Sequence, residues 1–188
     1  MKQERCGCKT SPYGTCRLFV PHNGKCDTLS RPILFSGLMV RAILDGKKTQ
    51  TRRVVMGRDS SISSDGTWRA KKCPWEGIET LWVRETWCQK GDGFSYAATA
   101  PRIDGANGWK PSIHMPRKAS RIILALKRIR LEHLQEITME DAPAEGFTAV
   151  EQYAGCFRDG WDAINGKRGY GWETNPLVWA LTFERVQP

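Results

Sequence analysis

The chain has 188 residues, 40% of them hydrophobic, with 29 Lys and Arg against 20 Asp and Glu, a formal charge of +9. That size buries one substantial core, which fits a single domain with additions. No apolar run approaches a bilayer span and no charged-then-apolar start marks a secretion signal, so the expected location is cytoplasmic, without a membrane partner. The positive excess favours anionic partners, nucleic acid being the commonest, although charge speaks to attraction and not to a site.

The first thirty residues have turn chemistry and little periodicity, and read as a Cys-rich extension, 1–30, ahead of the domain. Seven cysteines is an odd count, which weakens any complete disulfide scheme. Cys6, Cys8, Cys16 and Cys26 crowd this segment. Thiolates hold Zn²⁺ tetrahedrally, so a structural zinc is one reading. The spacing lacks the paired Cys-x2-Cys knuckles of common ribbons, and reduced free thiols are the other. Cys73, Cys88 and Cys156 stand alone and read as small core residues.

The domain begins at "RPILFSGLMVRAILDGKK". "PILF" is a short apolar strand. A brief helix follows, tracked by Leu38, Ala42 and Asp45, with Val40, Ile43 and Leu44 broadening its buried face. Gly46 is its C-terminal stop. "TQTRRVV" alternates and reads as a strand. Residues 57–79 are a polar insertion. "TLWVRETW" is the next strand, with "FSYAATA" as a pairing partner, and "PRIDGANGWKP" is a loop. In "RIILALKRIRLEH" the apolar parity flips from Ile122, Leu124 and Leu126 to Ile129 and Leu131, as a β-bulge produces. The same residues also fit a helical face, and β-branched content favours the strand. From Arg117 to Arg130 six cations occur without a carboxylate, predicting one strongly positive face. "TMEDAPAEGF" carries a capping box from Thr138 to Asp141 and ends at Gly146. An amphipathic helix with Val150, Tyr153, Phe157, Trp161 and Ile164 on one side comes next. "PLVWALTFERV" closes the chain as a strand.

Several residue groups suit nucleic-acid recognition. Arg84 and Glu85 are candidates for reading a base edge, the plain alternative being a cross-strand ion pair. Of the eight tryptophans, most belong in a core. Trp87 and Trp172 are the preferred exceptions for base stacking, because their neighbours are charged. Arg128 and Arg130 belong to the cationic run. Lys167, Arg168 and Trp172 lie in the glycine-rich "NGKRGYGWETN", the mixture of cations and aromatics expected of a flexible nucleic-acid contact. His114 and His133 have no ligand-spaced partners and read as structural.

Gly46, Lys48, Thr51 and Arg53 fall at the spacing Gly-x-Lys-x-x-(Glu)-x-Arg, just after a helix that follows a short strand. This resembles the signature of the ASCH family, whose fold is PUA-like. The order of "LWVRET", "LQEIT", "EDAPAEGF" and the last strand agrees, and "INGKRGYGWETNPLVWALTFE" is similar to phage and prophage ASCH proteins. The resemblance implies an α+β fold, a small β-barrel with flanking helices over 31–188, binding nucleic acid or a modified nucleobase. Where the family often has Glu, this chain has Thr51. A branch hydrolysing N4-acetylcytidine shares that Thr, together with a lysine and a helical glutamate, matched here by Lys48 and Glu145.

That resemblance implies a catalytic trio, which needs no cofactor at the main site. Thr51 is the nucleophile, and Lys48 its base if burial lowers the amine's pKa. Glu145 shuttles the proton to the leaving amine, and Arg41 or Arg53 holds an oxyanion or a phosphate. Each residue also has a plain reading: Lys48 complements a helix dipole, Thr51 suits a strand, and Glu145 is a solvated helix residue. The expected function is a module binding nucleic acid or a modified nucleobase in a basic pocket. An N4-acylcytidine amidohydrolase is the alternative, and a ribonuclease a third option.

Overall fold

A computed structural model describes residues 29–56, 60–62, 68–70, 73–100, 108–147 and 153–186. The Cys-rich start, with Cys6, Cys8, Cys16 and Cys26, lies outside the described residues. So do Val150 and the side chains of Tyr153 and Cys156.

The elements in chain order are β1 (Ser30–Leu34), α1 (Gly37–Leu44), β2 (Gln50–Val54), β3 (Ser60–Ile62), β4 (Trp68–Ala70) and β5 (Thr80–Arg84). There follow β6 (Trp87–Lys90), β7 (Gly93–Tyr96), β8 (Ile123–His133), α2 (Asp141–Ala144), α3 (Tyr153–Asn165) and β9 (Leu177–Val186). Five strands form one sheet in the order β1-β5-β8-β9-β2, antiparallel except for β1 on β5. The expected α+β class holds. The expected barrel is corrected: hydrogen bonds among the described residues do not close the sheet. Its edges meet instead through side chains. Arg53 on β2 donates to the Leu34 carbonyl of β1 at 2.7 Å, and Phe35, just after β1, packs against Phe183 of β9 with centroids 6.2 Å apart.

One face of the sheet holds the main core, including Val40, Ile43, Leu81, Val83, Leu124, Leu181 and Phe183. The bulge read from parity is present: pairing of β8 with β9 shifts between Leu126 and Arg128. That extra residue lets Leu124 and, beyond it, Ile129 both contact the same core. A second cluster, Leu134, Phe157, Trp161 and Val178, lies under α3.

Several local expectations need correction. Leu38 is 69% exposed and Ile164 65% exposed, so the buried stripes of α1 and α3 are narrower than read. "FSYAATA" does not pair with β5. Its strand β7 pairs with β6 in a separate two-stranded sheet, Trp87 opposite Tyr96, because the chain leaves the main sheet after Arg84. Only two short paired strands, β3 and β4, are described inside the early part of the insertion.

Candidate functional site

α1 is capped by Ser36, whose hydroxyl accepts from Met39 N, and stops at Gly46, where φ is +73°. The left-handed turn brings Lys47 N and Lys48 N onto the Ala42 carbonyl at 2.9 and 3.0 Å. Thr49 then donates to the Ala144 carbonyl of α2 at 2.8 Å and accepts from Phe183 N at 2.8 Å. The start of β2 is thereby clamped between both helices and the last strand. Ahead of α2, Asp141 N bonds Thr138 Oγ1 at 3.2 Å, but the reciprocal half of the expected capping box is absent, since the Asp141 carboxylate is taken by Gln50, Arg52 and Arg130; the turn after α2 is made by Gly146 with φ +92°. A Cβ on Gly146 would lie 3.1 Å from Ala42 Cβ and 3.2 Å from Lys48 Cβ, so glycine is what allows α2 to approach Lys48.

Lys48 and Glu145 therefore meet. The ammonium donates to Glu145 Oε2 at 2.9 Å and to its carbonyl at 2.7 Å, and both side chains are almost fully buried. Burial pushes the Lys48 amine below its ordinary value. Glu145 pulls it back up, while Arg53 and Arg52 add to the lowering. Arg53 is itself held below the usual arginine range by burial, with Glu145 opposing.

Along β2 the side chains alternate. Gln50 and Arg52 face α2, while Thr51 and Arg53 share the main-core face with their register partners Leu181 and Trp179. The ring of Phe35 carries Lys48 Nζ at 5.6 Å and the Arg53 guanidinium at 5.2 Å. The amine thus reaches the face of β2 that bears Thr51. The Thr51 side chain is 4% exposed, and its hydroxyl forms no hydrogen bond to any described residue. Nor is that oxygen among the sealed polar atoms lacking partners.

Reading the sequence missed Arg52. Its side chain is fully buried and donates to Gln50 Oε1 at 2.7 Å, Glu145 Oε1 at 3.1 Å and Asp141 Oδ2 at 2.6 Å. It also lies 2.7 Å from Glu132 Oε1, an ion pair at an angle too poor for a hydrogen bond. Arg130 completes the group, pairing with Glu132 and Asp141 at 2.9 Å each. Counting Arg53, four cations meet three carboxylates here. The lone signal in the sequence was period two: Gln50 and Arg52 share a face, which must meet polar groups if it is buried.

The other candidates are dispersed. Arg41 is exposed and donates to the Ala98 carbonyl at 2.9 Å. Glu85 is corrected: it is 1% exposed and bidentately paired with Arg121 at 2.8 and 3.0 Å, so it cannot read a base edge. Trp87 is corrected too, being buried against Met115 and Ala119. Its neighbours are charged because the strand beside it alternates. Trp172 is half-buried and meets Phe157 edge-on at 6.2 Å, which takes one side of its ring. Arg130 is not free for phosphate, and the uniformly positive face from Arg117 to Arg130 is corrected, since Arg121, Lys127 and Arg130 all hold carboxylates. Arg128 is exposed. Lys167 and Arg168 are exposed on a 3-10 turn, with Arg168 bonded to Asn165 Oδ1 at 3.4 Å. His133 bonds the Asn175 carbonyl at 3.1 Å, a structural role as expected. Among the described residues no group of His, Cys, Asp and Glu is placed to hold a metal ion, and no helix is long and apolar enough to cross a membrane.

No family model and no curated protein matches the sequence. Two solved structures are similar in shape. One is an ASCH domain from Lactobacillus crispatus JV V101, at 13% identity and a TM-score of 0.45 over 83% of this chain and 79% of that one. The other is an Enterococcus faecalis V583 protein of the DUF984 family model, at 9% identity and a TM-score of 0.42 over 84% of this chain and 79% of that one.

Proposed function

We propose that this chain is an ASCH-type module with a PUA-like fold that takes a modified cytosine nucleoside beside β2 and hydrolyses the acyl amide on its N4. The observation that carries the reading is the buried Lys48–Glu145 pair, 2.9 Å apart, with the Lys48 amine over the Phe35 ring that also carries Arg53, the neighbour of Thr51 on the same face of β2. The same three residues, Lys48, Thr51 and Glu145, carry the pattern of the N4-acetylcytidine branch that the sequence resembles. The pairing of Arg121, Lys127 and Arg130 with carboxylates favours a single nucleoside over an extended phosphate track at this site.

In this mechanism the neutral Lys48 amine accepts the Thr51 hydroxyl proton as Oγ1 attacks the acyl carbon. Arg53, desolvated and paired with no carboxylate among the described residues, steadies the oxyanion. The C–N bond breaks, and the proton passes from Lys48, with Glu145 as relay, to the departing cytosine nitrogen. Water then attacks the acyl-threonine ester. It gives one proton to Lys48, which returns it to Thr51 Oγ1 as the carboxylic acid leaves. Arg52 holds Glu145 in place from the other carboxylate oxygen.

The test is chromatographic detection of cytidine after incubation with N4-acetylcytidine. Wild type is expected to release cytidine. Thr51→Ala is expected to release none, and Thr51→Val, which keeps the shape and loses only the hydroxyl, is expected to release none while staying folded, because the hydroxyl bonds no described residue. An inert wild type, or a Thr51→Ala variant that still turns over, removes the assignment.

A further inference from the structure

The junction between β1 and α1 reaches the candidate site through two consecutive residues. The Leu34 carbonyl accepts from Arg53 at 2.7 Å. The Phe35 ring, 7% exposed, has Lys48 Nζ 5.6 Å and the Arg53 guanidinium carbon 5.2 Å from its centroid. That ring is held from two sides. Phe35 N donates at 3.2 Å to the carbonyl of Arg84, whose own Nε–H is tied to the Met115 carbonyl at 3.0 Å. The ring packs against Phe183 with centroids 6.2 Å apart, and Phe183 N donates at 2.8 Å to the Thr49 carbonyl just ahead of β2. Phe35 is thereby fixed relative to the strand that bears Thr51 and Arg53.

Two cations beside one ring repel each other, and burial disfavours both. An aromatic face attracts a cation, more strongly when the site is desolvated, and an aliphatic side chain of the same bulk does not. The Lys48 ammonium has three N–H groups, of which two go to the carboxylate and carbonyl of Glu145. The third proton is the one that a base must give up. The charged groups facing it are Glu145 after α2 and Arg52 and Arg53 on β2. Glu145 and the ring favour the ammonium, whereas burial and both arginines favour the free amine. That balance matters because an amine depressed too far is a poor acceptor for the Thr51 proton.

We propose that Phe35 is a positioning residue of this site, its π face holding the Lys48 amine and the Arg53 guanidinium in place on the side of β2 that bears Thr51. The amine's role as a base rests on the hydrolase reading, while the hold of the ring on the amine is tested without substrate.

Replacing Phe35 in turn by mono-, di- and trifluorinated phenylalanine withdraws π density stepwise and nearly preserves the shape. NMR of the full chain carrying isotope-labelled lysine follows the Lys48 titration, the signal being assigned by its loss in Lys48→Met. The midpoint is expected to fall with each fluorine, by about half a pH unit for the trifluorinated ring. A ring that only fills space would leave it where it is. The same replacements at Phe183, whose ring meets Phe35, are expected to leave the midpoint unchanged. A flat midpoint across the Phe35 series, or an equal fall from Phe183, overturns the proposal. Turnover of N4-acetylcytidine by the same samples separates the two readings. An inert wild type with a stepwise fall removes the hydrolase and supports the ring's hold on Lys48, whereas an active wild type with a flat titration removes the role of Phe35 alone.

Discussion

Arg52→Met keeps an aliphatic stem at β2 and removes the guanidinium that three carboxylates share. Glu132 would be left with Arg130, Asp141 with Arg130 and Gln50, and Glu145 with Lys48, the last pair almost fully buried and the others partly so. Breaking a buried ion pair by deleting one partner costs about 3–5 kcal/mol, a large part of the ~5–15 kcal/mol that stabilises a typical domain. The pH dependence gives the sign. Burial raises the Asp141 pKa, yet hydrogen bonds from Gln50 and Arg52 with the charges of Arg52 and Arg130 outweigh it, so the folded value lies below the ordinary one. Asp141 thus stabilises the fold above the ordinary carboxylate range, and that contribution is lost as pH falls through the folded value. Without Arg52 much of it is gone already, so the gap between variant and wild type should narrow in acid. Urea unfolding followed by tryptophan fluorescence, near pH 7 and again at a pH below the ordinary Asp value of 3.8, measures both quantities. A loss under about 1 kcal/mol, or a gap that widens in acid, would refute the reasoning.

Two further outcomes follow from the same geometry. The hydrolysis rate should rise with pH as the Lys48 amine deprotonates and level off below the range of an ordinary lysine, since burial dominates its shift. Glu145→Gln removes the influence that raises that pKa, and should move any residual activity to lower pH; a limb at the ordinary lysine value in wild type counts against Lys48 as the base. Gly146→Ala must hold a φ of +92° and seat a methyl 3.1 Å from Ala42 Cβ and 3.2 Å from Lys48 Cβ. It should destabilise by more than ~1 kcal/mol and weaken turnover by displacing Lys48, whereas a variant as stable and as active as wild type would show that α2 need not approach so closely.

The parts of this molecule that repeat locally were legible in the sequence. The parity flip located the bulge of β8, the Thr138–Asp141 spacing located α2, and Gly46 and Gly146 located two stops, because each depends on bonds within a few residues. The candidate site was legible in part. Lys48 and Glu145, 97 residues apart, were placed together only through the family resemblance. Arg52 passed as one more surface cation because its three carboxylates arrive from β8 and α2.

Charge pairing is where order along the chain says least. The sequence by itself determined a basic α+β chain, its main strands and the residue types available for proton transfer, since these follow from composition and short-range periodicity. Tertiary structure alone decided which cations are neutralised, that Glu85 and Trp87 are interior and that Lys48 is desolvated. Coulomb energy and burial depend on distances in space, and strands far apart in sequence set those distances.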